Sequence, residues 1–190
     1  MNLLHSISKT RHFNEDESVF QIGQPATHIF QVITGEVHLS RHSGEGQRVL
    51  LFRAYAGDYF AEASLNSSTY HCTAVAKTLS SIRLFNADEV RLLLQENSEF
   101  AMAWISRLST ELRRQRASVE RLNLKPAADR VIHYLLTEGQ PMGEVELTGT
   151  LSELSEILGM SRETLYRTLA QMQKSGSIER IGNKLRIIQG

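Results

Sequence analysis

The sequence predicts an α+β chain: an amino-terminal antiparallel β-roll of the cupin or jelly-roll kind, one long helix, and a carboxy-terminal winged helix-turn-helix. Three observations carry this. Short segments rich in β-branched and aromatic residues, separated by glycines, fill the first 86 residues. The apolar period then changes, and neither proline nor glycine interrupts 98–122. After Lys125-Pro126 come two short capped helices and an alternating tail folded around Gly182-Asn183.

The expected strands are VFQIGQ, HIFQVITGEVHLSRH, QRVLLFRAYAGDYF, HCTAVA and SSIRLF, with turns at Gly23, Gly35, Gly44, Gly46 and Gly57. Asn86 is placed to cap a short helix, with Glu89 as its reciprocal partner. In the long run Phe100, Trp104, Leu108, Leu112, Val119 and Leu122 recur at spacings of three, four or seven. A helix of about 25 residues spans roughly 37 Å, more than one small roll covers. The stripe is therefore expected to meet a second copy, giving a homodimer through helix 98–122. The dipeptide Lys125-Pro126 breaks the helix and marks the hinge. The division is 1–96 β-roll, 97–124 long dimerisation helix and hinge, and 125–190 winged helix-turn-helix.

Composition removes several function classes. A 41% apolar content spread along 190 residues supports a folded chain, and no run approaches the roughly 18 apolar residues of a membrane span. The opening MNLLHSISKTRHF turns polar too early for a secretory segment, so the expected compartment is the cytoplasm. A single cysteine, Cys72, excludes an intrachain disulfide and any site built on several thiolates. No HExxH is present, and no convergent His/Glu set supports a metalloenzyme on the roll. No metal, no cofactor and no enzymatic activity are expected. Lys plus Arg balances Asp plus Glu at 21 each, yet Arg167, Lys174, Arg180, Lys184 and Arg186 face only Glu179 beyond residue 166. A local basic excess of this kind favours phosphate.

The stretch TLSELSEILGMSRETLYRTLAQMQKSG is the most informative one. Thr150 caps a helix with Glu153 at its third position, and Leu154, Ile157 and Leu158 supply an apolar face, as Val131, Leu135 and Leu136 do for Ala127 to Gly139. Gly159 permits the left-handed turn, and Ser161 caps the second helix. There Leu165, Leu169 and Met172 share the buried side, leaving Glu163, Arg167, Ala170 and Lys174 outside. Arg162, Glu163 and Arg167 lie in the first two turns, where a recognition helix meets base edges. Arginine pairs with guanine and glutamate with the cytosine amino group, so the half-site should contain G·C pairs. Ser161 and Thr164 suit a phosphate, and Arg180, Lys184 and Arg186 form a wing that approaches the backbone. The partner is double-stranded DNA.

Roll, long helix and winged helix-turn-helix, in this order, resemble the Crp/Fnr family of bacterial transcription regulators, with SRETLYR (Ser161 to Arg167) close to the family's SRETVxR-type recognition helix. The resemblance covers nearly the whole chain, with a shorter amino terminus. It implies that Arg162, Glu163 and Arg167 read bases, that Tyr166, where a smaller residue is usual, alters the half-site, and that RNA polymerase is a partner. In cyclic-nucleotide-responsive members a glutamate binds the ribose hydroxyl and an arginine the cyclic phosphate. Here Gly57-Asp58-Tyr59-Phe60 is followed by Ala61-Glu62-Ala63, keeping the glutamate, but the arginine position falls on Tyr70 in YHCTA. Glu62, Ala63, Ser64, Tyr70, His71 and Cys72 form the candidate effector pocket. A neutral tyrosine does not replace a guanidinium, so cyclic AMP is not expected as effector unless His71 or Lys77 supplies charge. The other reading of Tyr70, His71 and Cys72 is that they fill the roll's interior. The effector is unknown.

Overall fold

The computed structural model describes residue 4 and residues 8–44, 46–139, 143–147 and 149–188. The sequence reading of the opening segment therefore lies partly outside the described residues. Two compact units divide between Trp104 and Ile105.

In the first unit two four-stranded antiparallel sheets stack into a roll, with orders β1-β8-β3-β6 and β2-β7-β4-β5. The strands are β1 (Ser8–Phe13), β2 (Ser18–Phe20), β3 (His28–Thr34), β4 (Val37–His42), β5 (Arg48–Ala54), β6 (Tyr59–Phe60), β7 (Thr73–Ala76) and β8 (Ser80–Asn86). Alternation sends Phe13, Phe20, Phe30, Val37, Ala74 and Ile82 into the space between the sheets. At the turn between β3 and β4 a Cβ on Gly35 would fall 2.7 Å from the Ser80 Cα, so only glycine lets β8 begin there. The strand β1 escaped the sequence reading. It is an edge strand whose SKTRHF buries only Phe13, so it carries almost no apolar alternation.

The opposite face of the first sheet is also covered. Ile29, Tyr59 and Phe85 meet Val90 of α1 (Ala87–Glu96) and Phe100 and Trp104 of α2 (Ser98–Asn123). The Asn86 side chain accepts from the amides of Asp88 and Glu89, capping α1 from one side without the reciprocal Glu89 bond. The expected single stripe on α2 divides in two. Phe100 and Trp104 are buried on the roll, whereas Ile105, Leu108, Leu112, Val119 and Leu122 are exposed.

In the second unit the chain forms α3 (Ala127–Glu138), β9 (Glu144–Glu146), α4 (Leu151–Ile157), α5 (Arg162–Lys174), β10 (Ile178–Ile181) and β11 (Lys184–Ile187). Val131, Leu135, Leu154, Leu158, Leu165, Leu169, Ile178 and Leu185 make its core. Two expected core residues, Leu136 and Ile157, are instead exposed. Each sits about 100° around its helix from the neighbour that does point inward, and Leu151 and Ile132 take the inward positions. The wing is three-stranded, β10-β11-β9, rather than a bare hairpin.

Candidate nucleic-acid interface and sensor pocket

Local chemistry sets the recognition helix. A capping box starts α4, with the Thr150 amide donating to Glu153 at 2.5 Å and the Glu153 amide donating to the Thr150 hydroxyl at 3.3 Å. Gly159 then turns the chain at φ +61°, and a Cβ there would strike Leu122 at 2.5 Å, so the turn needs glycine on two counts. The Arg130 guanidinium donates to the carbonyls of Leu124, Leu158 and Gly159, tying the end of α4 to the segment after α2. Ser161 accepts from the Thr164 amide at 3.1 Å and starts α5. Its hydroxyl also donates to Thr164 Oγ1 at 2.9 Å.

On α5 Leu165, Leu169 and Met172 are buried, whereas Arg162, Glu163, Tyr166, Arg167, Ala170 and Lys174 are exposed. Arginine, glutamate, tyrosine and a second arginine thus share the first two turns of one outward face. The wing is less basic than its own sequence. Arg186 pairs with Glu179, and Lys184 lies 3.7 Å from Glu144, a carboxylate delivered by β9. Arg180 donates to the Gly182 carbonyl at the hairpin tip.

The residues of the candidate effector pocket separate. Tyr70 is 4% exposed and stacks on Phe20 with ring centroids 3.9 Å apart. Its hydroxyl donates to the His28 carbonyl at 2.9 Å and accepts from the His28 amide at 3.1 Å. Burial pushes its phenol up, as it does the thiol of Cys72. Tyr70 and Cys72 are thus core residues, whereas His71 is exposed and meets Ser64 at 2.9 Å. Lys77 is bonded to Asp16, which keeps it from supplying charge to the pocket. The cation that does stand here is Arg41 of β4, donating to the His71 carbonyl at 2.6 Å and acting on Cys72 together with Glu62. Sequence reasoning missed it because its partner lies 30 residues away. Glu62 to Ser64 form one 3-10 turn entered through Ala61 at φ 65°. Ala63 is exposed and Ser64 buried. Among the described residues no three His, Cys, Asp or Glu side chains gather as a metal site, and no helix is long and apolar enough to cross a membrane.

Comparison with known proteins is consistent along the chain. A cyclic nucleotide-binding domain model matches residues 10–97, and a Crp-like helix-turn-helix domain model matches residues 129–189. The chain belongs to the Crp/Fnr family of transcription regulators. The cAMP-activated global transcriptional regulator CRP of Haemophilus influenzae is 27% identical over 176 residues, 88% of this chain and 79% of that protein. The DNR structure from Pseudomonas aeruginosa is 29% identical, covers 98% of this chain and 85% of its own, and superposes with a TM-score of 0.55. FixK2 from Bradyrhizobium japonicum, at 22% identity, shares the fold with a TM-score of 0.70 over 96% of this chain and 93% of its own. The span of the first model is the β-roll with α1, the span of the second is the helix-turn-helix with its wing, and α2 runs between them.

Proposed function

We propose that this Crp/Fnr regulator works as a cytoplasmic homodimer that reads an inverted repeat with G·C-containing half-sites and acts through RNA polymerase. The observation that carries the reading is the exposed Arg162, Glu163, Tyr166, Arg167 face on a helix whose other face is core. Arg162 and Arg167 bind guanine edges, Glu163 a cytosine amino group, and Tyr166 the neighbouring base or sugar. Ser161 and Thr164 take a phosphate, and Lys184 follows the backbone once released from Glu144. The exposed Ile105, Leu108, Leu112, Val119 and Leu122 recur at spacings of three, four and seven, which fits the a/d repeat of a two-stranded seam. Two recognition helices then enter major grooves about 34 Å apart. The working division is the roll to residue 96, the long helix and hinge to 124, and the DNA-binding domain beyond.

Cyclic AMP is not the effector in this reading, because the place of the phosphate-binding arginine is taken by a ring packed against Phe20 and bonded to backbone. Arg41 is on the rim and engaged with a carbonyl, so it does not offer the buried fork a phosphate needs. A second reading, in which DNA binding waits on another effector, is favoured by the left-handed Ala61 beside Glu62, since strain of this kind gathers at switch sites. Selection from random duplexes without additives, followed by footprinting, tests both. An enriched inverted repeat supports the constitutive reading, whereas binding that appears only with an added effector supports the second. Sequence-independent binding under every condition rejects the base-reading assignment, and heat on titration with cyclic AMP rejects the assignment of Tyr70.

A further inference from the structure

Near the start of α3, the half-buried Arg130 reaches two separate places in the chain. Its Nε donates to the Leu124 carbonyl at 2.6 Å, just past the end of α2. Its Nη1 donates to the carbonyls of Leu158 at 3.2 Å and Gly159 at 2.7 Å, in the turn that precedes α5. Leu122, in the last turn of α2, stands with this Nη1 on the Cβ side of Gly159. Other bonds between α2 and α3 are the Glu120–His133 pair at 3.3 Å and those of Arg121 to Thr137 and Glu138. They hold α3 alone. Their grip reaches α5 only through the apolar core that Val131 and Leu135 share with Leu165 and Leu169.

Apolar contacts have no direction, whereas a planar guanidinium with donors on two sides fixes the geometry of what it bridges. We propose that Arg130 is a positioning residue that sets the angle of α5 to the end of α2, and so the separation of half-sites that the dimer accepts. This rests on the reading of the chain as a dimer with α5 on the bases. In such a pair the two α2 helices lie along the twofold axis, so each recognition helix is placed by its angle to them. Two base pairs added between half-sites rotate one of them by about 70° and move it by about 7 Å. A rigid link does not follow that change, and a loose one does. The three bonds of Arg130 end on backbone carbonyls, which leaves base preference within a half-site to Arg162, Glu163 and Arg167.

The test uses the full chain with the inverted repeat obtained by selection from random duplexes, beside the same repeat with two base pairs added or removed between its half-sites. The wild-type chain should prefer the selected spacing roughly hundredfold, and Arg130→Gln should lower that preference below about tenfold. Arg130→Lys keeps the charge on a single donor centre, cannot span both sides, and should behave the same way. Duplexes substituted at single base pairs should return the wild-type base preference in both variants. A ratio between spacings left intact, with every duplex weakened alike, overturns the proposal and leaves the dimeric reading standing, as does a changed base preference. Loss of the fold in both variants, followed by circular dichroism, assigns Arg130 to the fold alone and also overturns it. A wild-type chain indifferent to spacing rejects the inverted-repeat reading itself, and this inference with it.

Discussion

Tyr70 and Cys72 turn an expected ligand surface into core. Both acids sit among apolar neighbours, and burial raises both above their ordinary values, so the folded chain holds protons that the unfolded chain gives up first. The sign follows from linkage. The stability they contribute is complete below about pH 9 and is lost as pH rises past it. Alkaline unfolding should begin there, and Cys72→Ala should move its onset upward, as followed by circular dichroism. By the same reasoning iodoacetamide should leave Cys72 unlabelled at pH 8 in the native protein and modify it in urea. Ala61 carries the opposite kind of cost, a left-handed backbone on a residue with a Cβ. Ala61→Gly should raise stability by up to about 1 kcal/mol in urea melts, the strain relieved exceeding the entropy added to the unfolded chain. The Tyr70 substitution was legible in the motif around it. The Arg41 contact was not, because it is made between strands.

Among the elements, α2 shows how one helix serves two partners. Phe100 and Trp104 are offset around the axis from Ile105, Leu108 and Leu112, so the roll takes the first pair and leaves the second set in solvent. Leu112→Glu should place a charge in the proposed seam, convert a dimer to a monomer in analytical ultracentrifugation, and weaken operator binding roughly hundredfold by uncoupling the half-sites. The sequence stripe mixed these faces because spacings of three, four and seven fit both. On α5 Arg167→Ala should cost about 1 to 3 kcal/mol of preference at a single base pair, read by competition with substituted duplexes. Lys184→Ala should weaken all duplexes alike and flatten the salt dependence. Glu144 faces Lys184, so its effect should be smaller than that of a free cation. The strand β9 that brings this carboxylate is only three residues long, too short for alternation to announce it.

In the assembly of the second unit the decisive group is Arg121. It is 2% exposed at the end of α2, bonded to Glu138 and Thr137 of α3 and lying 5.0 Å over the Tyr134 ring, while its Nε has no acceptor among the described residues. A buried guanidinium with one carboxylate is costly to leave alone, so Glu138→Gln should destabilise this unit by about 3 kcal/mol, measured by thermal melting. Arg121→Met, which removes the charge and keeps the stem, should cost less.

Most of the strand-forming segments, the helix caps at Asn86, Thr150 and Ser161, the turn at Gly159 and the outward face of α5 were decided within a few residues of chain, because propensity, capping and period are local energies. Contacts between distant residues decided the rest: Tyr70 turned inward onto Phe20, Arg41 set against His71, Arg121 buried beneath α3, and Leu136 and Ile157 left outside. A side chain's face follows from its own helix or strand, but what covers that face depends on elements brought together only when the chain closes on itself.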